Sequence, residues 1–258
     1  MDNITVIEKK FRQLKPRFKE SIRINTSELI ISRLRELGDR DRAVNSQRFF
    51  KTGKGEYGEG DQFLGIRVPV LRKCAREYKE TGLEDVLKLL RSPLHEARLL
   101  ALFMMTARFS KSDGNEKQTI YRVYLGHTKY INNWDLVDSS AEHIVGAYLS
   151  GRDRKPLYRL VRSKSLWERR ISIMSTFRFI KQGEFADTLA LAQLLLDDNE
   201  DLIHKAAGWM LREVGNRNMS VEEAFLAKNY GQMPRTMLRY AIEKFPEVER
   251  QAYLHGDK

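Results

Sequence analysis

The stretch IHKAAGWMLR, residues 203–212, spaces its apolar residues three and four positions apart and sets the basic residue Lys205 ahead of most of them. This spacing is typical of a helix that buries one face. Three other stretches share the design: HEARLLALFM (95–104), WERRISIMST (167–176) and MLRYAIEKF (237–245). Their equivalent cations follow at intervals of 72, 35 and 34 residues: Arg98, Arg170, Lys205 and Arg239. The pattern predicts a repeat of about 35 residues in which one unit, near residue 134, lacks the cation.

Helical periodicity continues along almost the whole chain, and patterns typical of strands are nearly absent. It predicts helices at 3–14, 26–37, 69–79, 83–91, 94–110, 115–126, 133–149, 155–163, 165–181, 185–197, 201–215, 220–229 and 234–245. The short breaks between them favour antiparallel pairs. We therefore predict an all-α fold, a curved solenoid of HEAT-like helix pairs whose second helices line the concave face. A single domain would span residues 1–258, with residues 1–25 as an N-terminal helical extension.

Charge is the strongest global signal in the 258 residues. Lys and Arg number 46 against 35 Asp and Glu, which gives a net charge of +11 and a pI near 9.7. Such a surplus favours a polyanionic partner, nucleic acid first, because neutralised phosphates release counterions. The alternatives are a basic protein without such a partner and a chance alignment of Lys and Arg in the repeats.

Composition also bounds the cellular setting. The one cysteine, Cys74, excludes an internal disulfide and a cysteine-based zinc site, and it fits a reducing compartment. The sequence contains no run of about 18 apolar residues, which a membrane span would need. Its charged N-terminus has no apolar signal core. The five histidines show no ligand spacing. We expect a cytoplasmic protein that binds no membrane, no metal and no cofactor.

Residues 50–65, FKTGKGEYGEGDQFLG, form the one long predicted loop. Gly53, Gly55 and Gly58 have the G-x-G-x-x-G spacing, but no strand pattern precedes them, so we reject a dinucleotide site. No GK[ST] end is present, which excludes a P-loop. The loop contains Lys51 and Lys54, and it is expected to be flexible and to lie against DNA.

Arg170 breaks the apolar pattern of its own helix. It shares a face with Leu166, Ile173 and Phe177, at helical spacings of three, four and seven residues. An unpaired guanidinium among apolar side chains is very costly, so Arg170 must meet an anion. A structural salt bridge, a phosphate and a catalytic carboxylate all satisfy this requirement.

Trp209 breaks its helix pattern in the opposite sense. It lies on the charged side with Lys205 and Arg212, rather than with the apolar residues of that helix. An indole among cations suits contact with a nucleotide. The alternative is that Trp209 packs flat against the neighbouring repeat.

The unit without a leading cation contains INNWDLVDSS at 131–140. Trp134 and Asp138 are four residues apart and face the same region. Asp135 is rotated away and fits a helix start, with Asn132 or Asn133 as the cap. Asp138 is either an acid with a chemical role or a structural partner for Arg170 or another cation.

Several of these stretches resemble the AlkD family of DNA glycosylases, which are built from HEAT-like repeats. The resemblance rests on WDLVD (134–138), the W-x-x-R pattern beginning at Trp167, and KAAGWMLREVG (205–215). It extends from about residue 25 to the C-terminus and includes FLGIRVP (63–69) and MPRTMLRYAIEKF (233–245). Phe49, Phe50 and Tyr57 are the candidates for a further N-terminal aromatic of the family.

The resemblance implies excision of cationic N3- or N7-alkylated purines, such as 3-methyladenine and 7-methylguanine, from duplex DNA. Asp138 would stabilise the oxocarbenium-like sugar and orient water, and Arg170 would hold a phosphate beside the lesion. Trp134 and Trp209 would pack against the deoxyribose and backbone, and the base would stay stacked. The predicted DNA contacts are Arg98, Lys205, Arg212, Arg235, Arg239, Lys51 and Lys54. The resemblance implies a bacterial protein that is associated with the nucleoid when bound to DNA. A groove that holds a duplex requires no partner chain, so we expect a monomer without an obligate protein partner.

Two other classes remain open at this point. One is a DNA-binding relative without glycosylase activity, which would recognise bent or branched DNA. The other is a HEAT-type scaffold for a protein partner, which would need an apolar or acidic groove.

Overall fold

The computed structural model describes residues 26–258, so the helix predicted at 3–14 and the extension at 1–25 lie outside the described residues. The α-helices are α1 Thr26–Leu37, α2 Arg40–Phe49, α3 Val68–Glu77, α4 Leu83–Leu90, α5 His95–Lys111, α6 Gly114–Gly126, α7 Trp134–Asp138, α8 Ala147–Leu149, α9 Lys155–Leu160, α10 Leu166–Ser175, α11 Phe177–Ile180, α12 Ala186–Leu194, α13 Asp201–Gly215, α14 Met219–Asn229, α15 Arg235–Ala241 and α16 Glu247–His255. A π-helix spans Glu142–Gly146, and 3₁₀ turns span Thr128–Tyr130 and Ile242–Lys244. Across residues 26–258 the strand content is limited to one parallel bridge between Gln62 and Leu94.

The helices form two layers. Helices α4, α9 and α12 pack on the helices that follow them, α5, α10 and α13. These second helices also pack side by side, α3 on α5, α7 on α10, α10 on α13 and α13 on α15. One buried apolar cluster extends through both layers from Ile30 to Tyr253. The predicted all-α solenoid of helix pairs is confirmed, and the surface formed by α3, α5, α7, α10, α13 and α15 is called the second-helix face below.

Local capping fixes where the site-bearing helices begin. The Ser165 hydroxyl accepts a hydrogen bond from the backbone amide of Glu168 at the start of α10. This bond is the first half of a capping box, in which Ser and Glu have this spacing. The Asn133 side chain caps α7 by accepting the amide of Trp134 at 2.8 Å. These two starts set the helical register of Arg170 and of Asp138.

The single helix predicted over 133–149 is interrupted in the structure. Helix α7 ends at Asp138, and the π-helix starts at Glu142. Ser140 lies in the break, where its buried hydroxyl donates to the Leu136 carbonyl at 2.6 Å and contacts the Tyr124 hydroxyl at 2.8 Å. A serine hydroxyl can compete in this way with the backbone hydrogen bonds of a helix. The spacing of apolar residues does not record this competition, so it gave no sign of the break.

Two helices escaped prediction because they bury almost nothing. Helix α2 has no buried residue, and α16 buries only Tyr253. Without an apolar stripe, periodicity has no signal in such segments. Asp39 caps α2 by accepting the amide of Arg42 at 2.9 Å. None of the helices in residues 26–258 is long and apolar enough to cross a membrane.

A glycine pair tests the close packing of the second helices. A Cβ atom on Gly208 of α13 would lie 2.3 Å from the Met237 carbonyl oxygen of α15, whereas one on Gly126 would meet nothing within 4 Å. We expect Gly208→Ala to destabilise the fold by about 1–3 kcal/mol through overpacking. Gly126→Ala should be neutral or stabilise it by up to about 1 kcal/mol. Urea unfolding of both variants measures this, and equal free energies of unfolding would contradict the packing described.

Candidate active site

A bidentate ion pair between Asp138 and Arg170 forms the centre of the site. Arg170 Nε donates to Oδ1 of Asp138 at 2.9 Å, and Nη2 donates to Oδ2 at 2.8 Å. Arg170 Nη1 donates to the backbone carbonyl of Leu202, at the start of α13. The side chain of Arg170 is 5% exposed and that of Asp138 is 17% exposed. The carboxylate thus keeps an opening to solvent while the guanidinium is enclosed.

The pKa of Asp138 reflects two opposed effects. Burial raises it above the ordinary 3.8, and the positive charge of Arg170 and its hydrogen bonds limit the rise. The negative charge of Asp135 raises it further. Asp138 is therefore a carboxylate whose ionised form depends on Arg170.

Aromatic rings surround Trp134, one turn before Asp138. The Phe50 ring stacks on Trp134, with centroids 5.2 Å apart, and the Phe49 ring meets it edge-on at 5.9 Å. Trp134 is partly buried, whereas Phe49 is 67% exposed. The Tyr57 hydroxyl lies near the Trp134 side chain; burial raises the pKa of Tyr57, and this proximity opposes the rise. All three candidate N-terminal aromatics therefore lie beside Trp134 or in contact with it.

The glycine-rich loop is folded onto the site. Its amides at Gly53 and Gly55 donate to the carboxylates of Glu56 and Glu59, at 2.8 and 2.9 Å. Gly58 packs so closely that a Cβ atom there would lie 2.4 Å from the Phe50 carbonyl oxygen. The loop uses these amide donors internally and brings Phe50 and Tyr57 to Trp134, a role that its sequence did not suggest.

A buried acid–histidine–acid bridge includes Asp135, the residue that follows Trp134. His95 Nδ1 is 3.1 Å from Asp61 Oδ2, and His95 Nε2 is 2.8 Å from Asp135 Oδ2. Both carboxylates only accept hydrogen bonds, so the two contacts require a doubly protonated ring. Burial alone would lower the pKa of His95, but the bonds to Asp135 and Asp61 outweigh it and raise the pKa above 6.5. Asp135 thus anchors the start of α7 to α5 and the loop.

Sequence reasoning assigned Asp135 to the helix start and gave His95 no role. The cap itself is Asn133, as one of the two alternatives had it. The partner of Asp135 is 40 residues away in the chain, and Asp61 is 34 residues from His95. No local spacing encodes such a bridge, so only the packing of α5 against α7 reveals it.

Trp209 lies on α13 beside the arginine-bearing helix. Its ring centroid is 6.3 Å from that of Phe177, which shares the face of Arg170, and its Nε1 donates to Glu213 at 3.3 Å. Trp209 is partly buried. The structure therefore joins Asp138 and Arg170 by direct hydrogen bonds, places Trp134 one helical turn before Asp138, and packs Trp209 near Phe177 of the preceding repeat.

The repeated cations have three different environments. Arg170 pairs with Asp138, whereas Lys205 forms a partly exposed ion pair with Asp201 at 2.6 Å. Arg98 is buried, with Nη2 2.6 Å from Asp61 and Nη1 donating to the Ser92 carbonyl at 3.1 Å. The expectation that Arg98 lines a DNA groove needs correction, because this guanidinium neutralises a buried carboxylate instead.

The other predicted DNA contacts lie at the surface or near it. Arg212 is partly buried and pairs with Glu243 of the following repeat. Arg235 and Arg239 are exposed on α15, and Lys51 and Lys54 are exposed in the loop. These last four have no ion pair with any other described residue, so their charges are available to an anionic ligand.

This arrangement defines a helical-repeat protein with a partly exposed carboxylate, an enclosed arginine and aromatic rings on its second-helix face. The profile of the family described as "DNA alkylation repair enzyme" matches residues 30–245, and the chain belongs to that family. Family membership places the protein in the repair of alkylated DNA. No protein with a curated description matches the chain.

Solved structures share the fold at low sequence identity. A predicted DNA alkylation repair enzyme from Enterococcus faecalis is 14% identical with a TM-score of 0.63, over 81% of this chain and 97% of that one. AlkD2 from Streptococcus mutans is 14% identical with a TM-score of 0.51, over 81% of this chain and 99% of the other. At this identity the likeness shows the architecture alone.

The His95 bridge gives a pH-dependent test of stability. His95→Leu removes the cation between Asp61, which keeps Arg98, and the partly buried Asp135, and loss of one partner of a buried ion pair costs roughly 3–5 kcal/mol. Because the pKa of His95 is higher in the folded protein, protonation of its ring stabilises the fold. This contribution is complete below pH 6.5 and is lost as the pH rises through the pKa of the folded state. We therefore expect the loss of unfolding free energy to be largest near pH 6 and to shrink in alkaline buffer.

His255→Leu, at an exposed position at the end of α16, is the matched control and should change stability little. Urea titrations of both variants across this pH range decide the matter. A loss for His95→Leu that grows with pH would show that the ring is neutral in the folded protein.

Proposed function

We propose that this protein is a DNA glycosylase that hydrolyses the N-glycosidic bond of cationic N3- and N7-alkylated purines in duplex DNA. The observation that carries the proposal is the Asp138 carboxylate, held by two hydrogen bonds from Arg170 yet open to solvent beside Trp134. Family membership in DNA alkylation repair supports the choice of substrate class.

The chemistry needs a carboxylate rather than an acid. When the bond from C1′ to the alkylated purine breaks, its electron pair goes to the base and neutralises the positive charge that the base carried. The sugar becomes oxocarbenium-like, and water adds to C1′ and loses a proton. The ionised Asp138 stabilises that sugar, and by accepting a hydrogen bond it orients the attacking water.

The magnitude of this stabilisation is large enough to matter. Two opposite charges about 4 Å apart attract by about 4 kcal/mol at an effective dielectric near 20. That corresponds to roughly a thousandfold in rate. Because the leaving base is already cationic, no general acid has to protonate it, and the proposed reaction uses no metal or cofactor.

Arg170 has a positioning role in this mechanism. It fixes both oxygens of Asp138 and opposes the burial effect that raises the carboxylate pKa. Three of its five N–H donors bind Asp138 and the Leu202 carbonyl, so the enclosed guanidinium holds the carboxylate in place. The Trp134 and Trp209 rings provide surfaces for the deoxyribose and backbone.

The placement of the site also supports excision without base flipping. Asp138 and Trp134 do not line the large cleft of about 1050 Å³ that α3, α5 and α6 form. Enzymes that flip a base insert it into a fitted pocket. We infer that the lesion stays stacked while its sugar meets Asp138, with phosphates held by Lys51, Lys54, Lys205, Arg235 and Arg239.

The alternative is a DNA-binding protein without glycosylase activity. It is favoured by the same ion pair, since both oxygens of Asp138 already accept hydrogen bonds and a purely structural pair has this geometry. Nothing comparable favours a protein scaffold, because the second-helix face presents cations. Base release separates the two DNA-binding alternatives.

Base release from methylated duplex DNA tests the proposal. We expect wild type to liberate 7-methylguanine and 3-methyladenine, and Asp138→Asn to lose roughly a thousandfold in rate because it removes the charge. Chromatography of released bases under single-turnover conditions measures both. If wild type binds the DNA but releases no base, the protein is not a glycosylase for these lesions.

A second ion pair provides the control. Arg169 pairs with Asp198 through Nε at 2.6 Å and Nη2 at 3.2 Å, one residue away from Arg170 in sequence. Asp198→Asn should cost stability as Asp138→Asn does, yet retain excision. Equal loss of activity in the two variants would show that Asp138 acts only through folding.

The acid limb of the rate is a further expectation. Excision requires ionised Asp138, so the rate should fall as the pH drops through the carboxylate pKa, at a pH above the ordinary 3.8. Single-turnover rates from acid to neutral pH measure this limb. A rate that keeps rising as the solution becomes acidic would indicate protonation of the base by the enzyme instead.

A further inference from the structure

The aromatic rings that support Trp134 extend to the His95 ring. Phe50 stacks on Trp134 with centroids 5.2 Å apart, and its centroid also lies 5.1 Å from that of His95. Phe63 stacks on both Phe50 and His95, at 4.9 and 4.4 Å. The faces of aromatic rings attract a positive charge. A protonated His95 therefore attracts two phenylalanine rings, one of which contacts the indole.

A second connection from His95 to Trp134 follows the backbone. His95 Nε2 lies 2.8 Å from Oδ2 of Asp135, the residue after Trp134. The other oxygen of Asp135 accepts a hydrogen bond from the backbone amide of Leu136 at 2.9 Å, which fixes this carboxylate in the first turn of α7. The ring stack and the peptide chain thus link the same imidazole to the same indole.

The charge on His95 holds both connections in place. Among the described residues, the charged groups that face its ring are Asp61 from the loop, Asp135 from α7 and Arg98 from α5. Arg98 Nη2 lies 2.6 Å from Asp61, so the four groups form a neutral cluster when His95 is protonated. A neutral imidazole has one N–H instead of two and can donate to only one of the carboxylates. When the proton is lost, Trp134 therefore loses its support either from the loop or from α7.

This effect is separable from the titration of Asp138. Burial would lower the pKa of His95, but the bonds to Asp135 and Asp61 raise it above 6.5, so the proton leaves on the alkaline side. A rising pH can only ionise Asp138 further, which favours the proposed reaction. A rate that falls on the alkaline side therefore has a cause other than the Asp138 carboxyl.

We propose that His95 is a positioning residue for Trp134: the positive charge between Asp61 and Asp135 fixes the indole one turn before Asp138, and the indole shifts when that charge is lost. The effect on excision rests on the proposed function. The effect on Trp134 belongs to the free protein, so it is measured without DNA.

Fluorescence of Trp134 reports its position. The chain has three tryptophans, so Trp167→Phe with Trp209→Phe leaves Trp134 as the one tryptophan that emits. In this background, His95→Gln removes the charge and His95→Lys keeps it, since an ammonium has three N–H donors for the two carboxylates. At pH 7 we expect His95→Gln to shift the emission to longer wavelength, because a released indole meets more water. His95→Lys should emit like the protein with the native histidine.

Titration of the native His95 ring provides the same comparison in one protein. As the pH rises above 6.5, the Trp134 emission should move from that of His95→Lys to that of His95→Gln. Tyr57 lies near Trp134, but burial raises its pKa above the ordinary 10, so a transition below pH 10 has another origin. NMR of the His95 ring gives the pH at which its proton leaves, and the two midpoints should coincide. His255→Gln, at the exposed end of α16, is the matched control and should leave the transition unchanged.

Excision by proteins with the native tryptophans tests the link to chemistry. Displacement of a group by about 1 Å can cost roughly a hundredfold in rate. In single turnover at pH 7 we expect His95→Gln to release 7-methylguanine up to about a hundredfold more slowly than wild type, and His95→Lys to recover most of this loss. The wild-type rate should fall through the midpoint of the Trp134 transition, and His95→Lys should lack this alkaline limb.

Two results would overturn the inference. One is an emission of His95→Gln at pH 7 that equals that of the protein with native His95. The other is a His95 ring that loses its proton while the Trp134 emission stays constant. Urea unfolding shows whether both variants are folded; where one is not, the titration of the native ring decides, and where the ring keeps its proton up to pH 10, the comparison at pH 7 decides. If the emission follows His95 but no protein releases base, the proposed function fails and the positioning role stands.

Discussion

The guanidinium of Arg170 connects three consecutive repeats. It donates to Asp138 at the end of α7, belongs itself to α10, and donates to the Leu202 carbonyl at the start of α13. A charge enclosed to this degree is tolerated only when its donors are satisfied. This side chain therefore ties the three helices together and fixes the position of the candidate catalytic carboxylate.

A second buried network stabilises the other side of the site. Asp61 forms ion pairs with both His95 and Arg98. These ion pairs lower the pKa of Asp61, although burial alone would raise it. His95 continues the chain of contacts to Asp135 on α7. The glycine-rich loop, α5 and α7 are thus held through charges, and Trp134 gains a fixed support of aromatic rings. Rigid support of this kind is what a site requires when a sugar must meet a carboxylate within a few tenths of an ångström.

Periodicity predicted the helix pairs because burial repeats along the sequence, and it failed where burial is absent or where contacts are remote. Helix α2 has no buried residue, so it left no pattern. Arg98, Arg170 and Lys205 occupy equivalent positions in the repeat, yet their partners differ: Asp61, Asp138 and Asp201. Only the last partner lies within one helical turn in sequence. The motif residues of the candidate site were identified from the sequence, whereas the His95 bridge required the packing of separate helices.

The two buried arginine–carboxylate pairs explain why one acid suits chemistry and the other suits structure. Asp61 is 3% exposed, is contacted by two cationic side chains and has a lowered pKa, so its charge is fully compensated inside the fold. Asp138 is 17% exposed, has one cationic partner and has a raised pKa because burial outweighs that partner. A carboxylate that stabilises a developing positive charge must keep some of its own charge uncompensated. The second arrangement leaves such a surplus at the surface, as the proposed role of Asp138 requires.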